Sequence, residues 1–437
     1  MRETMIRPMR GTLYAREKVG EMERVVAPPY DVIDEAAKSI LLERSPYNIV
    51  RLILPQLGGA REFWTDSAAL FSRWKEGEVL AVDGEPCIYV YRQTYGHPTQ
   101  GLLSRTGFLA AVRCVDFEDG VILPHERTFP RTRSERLELL RACKANFSQV
   151  FMIFRDGGGK VQELMEKTVS AAPALAFEDY DGVRHELWRL RSGAGAEEVC
   201  RRMEGKKLII ADGHHRYETA LAYGREDAAA CEAGHPRGFV SAVLFRSEDP
   251  GLLVLPVHRV LKRCPLDPHE LVRRLERAFL VERIGDIARE GFGGERLSRR
   301  LEGADSTAFI MLTRKDVFRL ALKDEVDISP RPGEGGSEKW RRLDANVLQS
   351  LVFGEAMGVD AAEMAEAGVL RFTPWEEGVF STLENGEAEA AFLMRATTMD
   401  EIWTIAEGGE RMPHKSSYFH PKLPSGLVIY DHETAFR

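Results

Sequence analysis

The chain has 437 residues, 44% of them apolar and 9% aromatic. That length supports two or three domains of ordinary size, and the apolar share excludes a mainly disordered chain. With 60 Lys and Arg against 68 Asp and Glu the net charge is −8, which gives no general attraction to nucleic acid or to an anionic membrane. Neither is therefore expected as a partner, and any anion site has to be local.

No run approaches the roughly 18 apolar residues of a membrane span. The start, Met1 to Pro8, lacks the apolar core of a signal peptide, so a cytoplasmic setting is expected. Cys87, Cys114, Cys143, Cys200, Cys231 and Cys264 are widely spaced with no C-x-x-C pair. Reduced, mostly buried thiols are expected rather than a zinc site or a disulfide framework.

In chain order, Ala27 to Ile33 cannot begin as a helix, because Pro28 and Pro29 remove amide donors and extend the residues before them. Residues 48–54 (NIVRLIL) are rich in branched side chains and stop at Pro55, which predicts a strand. Residues 61–76 carry helical apolar spacing at Phe63, Trp64, Ala68, Phe71 and Trp74 and end at Gly77. Residues 87–91 and 107–112 predict two further strands, and 133–147 a helix. A short strand at 207–211 is followed at once by a helix over 214–223, then by strands near 239–245 and 252–255. Residues 324–340, rich in Gly, Pro and charge, predict a loop or connector. Strands interleaved with helices imply a mixed α/β or α+β protein.

Four polar clusters carry the candidate chemistry. The first is KLIIADGHHRYETALAYG (207–224), a strand, a tight turn and a helix closing at Gly224. Asp212 is expected to cap that helix, and Gly213 to leave room for a ligand. First-turn amides lack partners within a helix and carry its positive dipole end, so a strand–turn–helix start of this kind suits phosphate. His214, His215 and Arg216 put two titratable rings and a cation at the same mouth; an ordinary cap with solvated polar residues is the competing account.

The second cluster is LPHERT (123–128), where Glu126 between His125 and Arg127 is a candidate carboxylate base or metal ligand, against a plain surface turn. The third is SERLELLRACKANF (134–147). On a helix, Leu137, Leu140, Cys143 and Phe147 share a face, with Glu135 and Glu138 roughly opposite. Arg133, Arg136 and Lys144 fall within or beside the apolar sector, where a cation is costly unless paired or aimed at an anion. Snorkelling side chains are the alternative. The fourth is RMPHKSSYFHPK (411–422), basic and hydroxyl-rich, before a strand signal at 427–430; it could equally be a solvated loop. Gly157 to Lys160 lacks the hydroxyl of a P-loop, and no G-x-G-x-x-G follows a strand.

Nine ordered stretches bear a resemblance to the bacterial and archaeal "domain of unknown function 1015" family. They are APPYDVI (27–33), SPYNIVRLILP (45–55), RTGFLAAV (105–112), ILPHERTFP (122–130), RLELLRACKANFSQVF (136–151), DGVRHELWRL (181–190), ADGHHRYETALAY (211–223), DPGLLVLPVHRVL (249–261) and RMPHKSSYFHPKLPSGLVI (411–429). Around PHE and DGHHR the family is similar to the free-serine kinases, which share the ParB/sulfiredoxin-like fold.

The resemblance implies an α+β (mixed α/β) fold with a ParB/sulfiredoxin-like nucleotide-binding core, a large insertion and a C-terminal α/β region. Its expected segments are 1–104 contributing to the core, 105–262 as the catalytic core, and 263–437 as a C-terminal domain whose 411–429 motif returns to the active site. It implies a nucleotide-dependent kinase that makes O-phospho-L-serine from free L-serine, with ATP or ADP as donor and Mg²⁺ as cofactor. Glu126 would be the base, Asp212 a second, metal-associated carboxylate, and His215 a further catalytic group. Gly213, His214, Arg216, Arg133, Arg136, Lys415 and Ser416 would contact the nucleotide. The 86 residues between positions 126 and 212 exceed the spacing in the compact free-serine kinases. A nucleotide-binding regulatory switch of ParB-like type, without kinase activity, is the alternative, and assembly into oligomers is compatible with either.

Overall fold

The computed structural model describes residues 5–54, 60–97, 100–127, 130–227, 234–287, 297–301, 303, 307–328 and 336–437; at 60–63, 130–133 and 194 it describes the backbone only. Among these residues the chain is a mixed α/β protein, and no helix is long and apolar enough to cross a membrane. It divides into two compact units that do not follow its linear order. The first comprises Met1–Pro124, Thr128–Leu253 and Pro421–Arg437; the second comprises His125–Arg127 and Val254–His420. Residues 1–104 and most of 105–262 thus share one unit, and the 411–429 motif contributes to both.

The first unit is built on a nine-stranded sheet. Its order is Ile122–Pro124, Leu208–Asp212, Val150–Phe154, Phe239–Arg246, Gly101–Arg113, Cys87–His97, Arg184–Arg191 and Leu175–Glu178, with Ile6–Arg7 paired beside Gly101–Arg113. Val150–Phe154 is buried at every position, as expected for a continuous apolar run covered on both faces. Helices Lys160–Val169 and Ala194–Met203 pack Val161, Met165, Val199 and Met203 onto Ile88, Val90, Phe108, Met152 and Leu244. Two registers position the candidate site. Ile122–Pro124 runs parallel to Leu208–Asp212 with Pro124 opposite Ile210, and Leu208–Asp212 runs antiparallel to Val150–Phe154 with a bulge between Ile210 and Asp212.

The second unit carries a six-stranded antiparallel sheet in the order Phe279–Asp286, Asp316–Leu322, Ala308–Thr313, Ala390–Leu393, His258–Leu261 and Leu370–Thr373. Side chains alternate across it: Phe309 and Met311 enter one core with Leu271 and Leu275, Ile310 and Leu312 another with Val379 and Leu383.

The strand expected at 48–54 is instead a helical turn, Val50–Ile53. The Asn48 side chain accepts from the Val50 amide at 3.0 Å, and Arg51 donates to the Ser45 and Leu42 carbonyls, so local capping overrides the branched side chains. The helix expected over 133–147 spans Pro130–Cys143 and ends where Lys144 takes φ 51°. Within 324–340, Ser337 caps a short helix, Glu338–Arg341, while 329–335 lie outside the described residues. The strand signal at 427–430 yields only Tyr430–Asp431. Cys87, Cys143 and Cys200 are free and buried, Cys114 and Cys264 free and partly buried; Cys231 lies outside the described residues.

Candidate functional site

In the first unit the bulge re-aims the end of strand Leu208–Asp212 into a turn at Gly213, whose φ of +91° favours glycine. Gly213, not Asp212, is the N-cap of helix His214–Arg225. The Asp212 carboxylate serves otherwise: its Oδ2 accepts from Arg216 Nη2 at 2.6 Å and its Oδ1 from Lys422 Nζ at 2.6 Å. Arg216 Nη1 also donates to the Gln149 carbonyl. The guanidinium lies over Gly213, where an added Cβ would come within 2.8 Å of it. The open approach expected at Gly213 is thus filled by Arg216, folded back on its own turn. His214 is buried and His215 partly buried at the start of the same helix.

Helix Pro130–Cys143 buries Arg136, Leu139, Leu140 and Cys143, a stripe at i, i+3, i+4 and i+7. Arg136 is therefore on the apolar face, as its helical phase requires, at 8% exposure. Its Nη1 donates to the Ile53 carbonyl at 2.9 Å, and its guanidinium carbon sits 4.3 Å from the Tyr30 ring centroid and 5.6 Å from that of Trp64. No carboxylate pairs with it among the described residues, and its buried Nε has no partner. Burial pushes the guanidinium below its usual range and the Tyr30 phenol up to about 12. Arg136, Arg216, Tyr30, Ser148 and Thr219 line a solvent-open cleft.

Lys144, also expected on that face, is not there. It lies beyond the helix and pairs at 3.5 Å with Glu433, both exposed. The Arg133 side chain lies outside the described residues.

In the second unit the two motifs at 125–126 and 411–417 form one cluster. The Met412 amide donates to the His125 carbonyl at 2.7 Å, and His125 Nε2 lies 2.8 Å from Ser417 Oγ. Glu126 Oε1 accepts from the Ser416 amide at 3.1 Å, the Ser417 amide at 3.0 Å and Ser417 Oγ at 3.1 Å; Oε2 accepts from the Lys415 amide at 3.3 Å. Lys415 takes φ 59°, which turns three successive amides into a concave nest, a shape suited to an anion. His125 is fully buried and the Glu126 side chain is 12% exposed, so 125–126 is not a surface turn; Arg127 is exposed and Thr128 lies outside the described residues. The parts of Lys415 and Ser416 that face Glu126 are backbone amides, which no side-chain signal in the sequence announces.

Magnesium does not fit Asp212 as it stands. Each of its oxygens holds a cationic nitrogen at 2.6 Å, so a dication there would displace both or sit against them. No cluster of three or more His, Cys, Asp or Glu suited to a metal occurs among the described residues.

The chain belongs to the family described as protein of unknown function (DUF1015), whose profile matches residues 6–346. No curated protein matches the sequence. Solved structures similar to this DUF1015 chain include a conserved hypothetical protein from Pyrococcus furiosus at 16% identity, covering 72% of this chain and 93% of that one, with TM-score 0.36. A free serine kinase in complex with AMP matches at 15% identity, 74% and 93% coverage and TM-score 0.37. SbnI from Staphylococcus aureus, truncated at its C-terminus, matches at 10% identity, 73% and 86% coverage and TM-score 0.33.

Two residues beside the first unit's cluster carry no signal of their own in the sequence. Lys422 was only the last member of a basic cluster, yet it holds Asp212. Tyr30 carried no charge signal.

Proposed function

We propose that the chain is a nucleotide-dependent kinase that phosphorylates free L-serine to O-phospho-L-serine, on a ParB/sulfiredoxin-like core. The observation that carries this reading is the first unit's cleft. A buried guanidinium without a carboxylate, Arg136, shares it with Arg216, which is anchored at the start of helix His214–Arg225. Leaving a buried cation uncompensated costs several kcal/mol, so an anion is the natural occupant, and phosphate suits both planar guanidinium groups and helix amides.

In the reaction the Glu126 carboxylate accepts the proton of the serine hydroxyl, the hydroxyl oxygen bonds to the terminal phosphorus, and the bond to the shortened nucleotide breaks. ATP would leave as ADP, and ADP as AMP. Phosphoryl transfer asks mainly for placement and charge neutralisation, which Arg136 and Arg216 supply from this chain. Within the first unit, the strands that precede PHE and DGHHR run parallel side by side, with Pro124 opposite Ile210.

One observation favours the second reading, a regulatory switch that binds nucleotide without turnover. Three amides and a hydroxyl already engage Glu126, as they would for a residue that only fastens the 412–417 segment. Incubation with L-serine and ATP or ADP separates the two. The kinase reading requires O-phospho-L-serine by mass spectrometry, whereas nucleotide binding with no phosphoserine from either donor selects the switch.

A further inference from the structure

Arg105 opens the stretch RTGFLAAV, and nothing in the proposed chemistry uses it. It stands directly opposite Gln93 on the paired strands Gly101–Arg113 and Cys87–His97, in the middle of the first unit's sheet. Both side chains are fully buried. Arg105 Nε and Nη2 donate to Gln93 Oε1 at 2.9 and 2.5 Å. The guanidinium carbon lies 4.7 Å from the Phe151 ring centroid and 4.8 Å from that of Phe245. Burial pushes the guanidinium down to about 10. Taking a cation this far out of water is costly, and apolar side chains would serve better if joining two strands were the whole role.

The pair has a second set of partners. Arg105 Nη2 also donates to the Pro421 carbonyl, and Gln93 Nε2 donates to the Lys422 carbonyl at 3.1 Å. Two consecutive carbonyls of the returning C-terminal segment are thus fixed by one buried pair. The Lys422 side chain leaves the backbone between them, and its Nζ donates to Asp212 Oδ1 at 2.6 Å. Phe151, whose ring faces the Arg105 guanidinium, is also the strand partner of Asp212. The support of Lys422 and the strand end that carries Asp212 therefore share a residue.

We propose that Arg105 and Gln93 are positioning residues, setting the backbone of Lys422 so that its ammonium reaches Asp212 and, through Asp212, fixes the Arg216 guanidinium at Gly213. A lysine ammonium rides on a flexible four-carbon stem whose lost freedom opposes a fixed ion pair. Holding the carbonyls on either side of its Cα removes part of that freedom beforehand. That the resulting charge arrangement faces a nucleotide phosphate rests on the nucleotide-binding reading; the positioning itself does not.

The test is acetylation of the folded full-length protein with an N-hydroxysuccinimide ester, followed lysine by lysine by mass spectrometry. Partly buried and held by a carboxylate, Lys422 of wild type is expected to react at least fivefold more slowly than the exposed Lys160. Gln93→Met keeps the length of the side chain and removes both polar groups. It is expected to speed Lys422 at least fivefold and to leave Lys206, paired with Asp156 in the same unit, within twofold. Arg105→Lys keeps the charge without the fork that spans Gln93 and Pro421, and is expected to act in the same way. Lys422 as reactive as Lys160 in wild type overturns the inference without any variant. Unchanged Lys422 reactivity in a folded Gln93→Met or Arg105→Lys overturns it too, as does equal acceleration of Lys206 and Lys422, the mark of a merely structural pair. The kinase reading fails separately: a protein that makes no phosphoserine but shows these reactivities loses that reading and keeps this inference.

Discussion

Asp212 in the first unit and Glu126 in the second are carboxylates each embedded in a motif of its own, and they are held by opposite means. Asp212 is clamped by two side-chain cations, Lys422 and Arg216. Glu126 is held by backbone amides and a hydroxyl of 415–417. A carboxylate between cations is neutralised, and its role is to fix those cations in place. A carboxylate that accepts from several amides fastens the backbone that carries them. The kinase reading asks Glu126 to take a proton in spite of the donors that favour its charged form, and asks Asp212 only to hold Arg216.

The largest effect that sharpens this contrast is expected at Glu126. Glu126→Gln keeps an acceptor oxygen for the 415–417 amides but removes the base, so turnover should fall by ~10²–10⁴ while nucleotide affinity, read by calorimetry, holds. Glu126→Ala should also lower the melting temperature, because its removal strands buried amides at about 1–3 kcal/mol each. A fully active Glu126→Gln breaks the contrast at its centre.

Next in size is Arg136→Met. Nucleotide affinity should drop by roughly tenfold, as for the loss of one charge-assisted contact. The melting temperature without ligand should be unchanged or higher, since a buried cation without a carboxylate is replaced by an apolar chain. Added phosphate should then raise the melting temperature of wild type more than that of the variant. Equal shifts would place the phosphate elsewhere.

Asp212→Asn separates clamp from metal ligand. As a clamp, its loss releases Arg216 and Lys422 from their counter-ion, so inorganic phosphate should bind several-fold more tightly and the Mg²⁺ dependence of activity should not move. Weaker phosphate binding with a shifted Mg²⁺ requirement would restore Asp212 as a ligand. Gly213→Ala should act through the same guanidinium, because the left-handed turn and the 2.8 Å approach of Arg216 both oppose a side chain. A stability loss of about 1–3 kcal/mol is expected from the strained backbone.

The smallest effect on the site is expected from His432, buried in the first unit with no partner for either ring nitrogen. Burial, aided by Arg237 and His235, depresses it to about 3. The unfolded ring takes a proton near its usual 6.5 and the folded ring does not, so stability declines as pH falls from about 6.5 toward 3. The loss is on the order of 4 kcal/mol over that window. His432→Phe should flatten this acid limb in thermal melts and leave wild-type activity at neutral pH.

Arg136 was legible in the sequence because a helix imposes a period, and a cation in the apolar phase is visible without coordinates. The strand–turn–helix of 207–225 was legible for a similar reason, an apolar run followed by Asp-Gly. What could not be read were contacts carried by the backbone or by remote residues. The nest around Glu126 consists of main-chain amides 289 to 291 residues away, which no residue type encodes. Lys422 reaches Asp212 across 210 positions. The strand expected at 48–54 failed because Asn48 and Arg51 supply helical hydrogen bonds that branched side chains do not forbid.

The central claim is tested most directly by following ³¹P signals while wild type and Glu126→Gln are each supplied with L-serine and ATP, and in parallel with ADP. The account predicts O-phospho-L-serine from wild type with at least one donor, and a rate at least a hundredfold lower from a Glu126→Gln protein that still binds the nucleotide. Nucleotide bound by wild type without any phosphoserine, or equal rates from the two proteins, would contradict it.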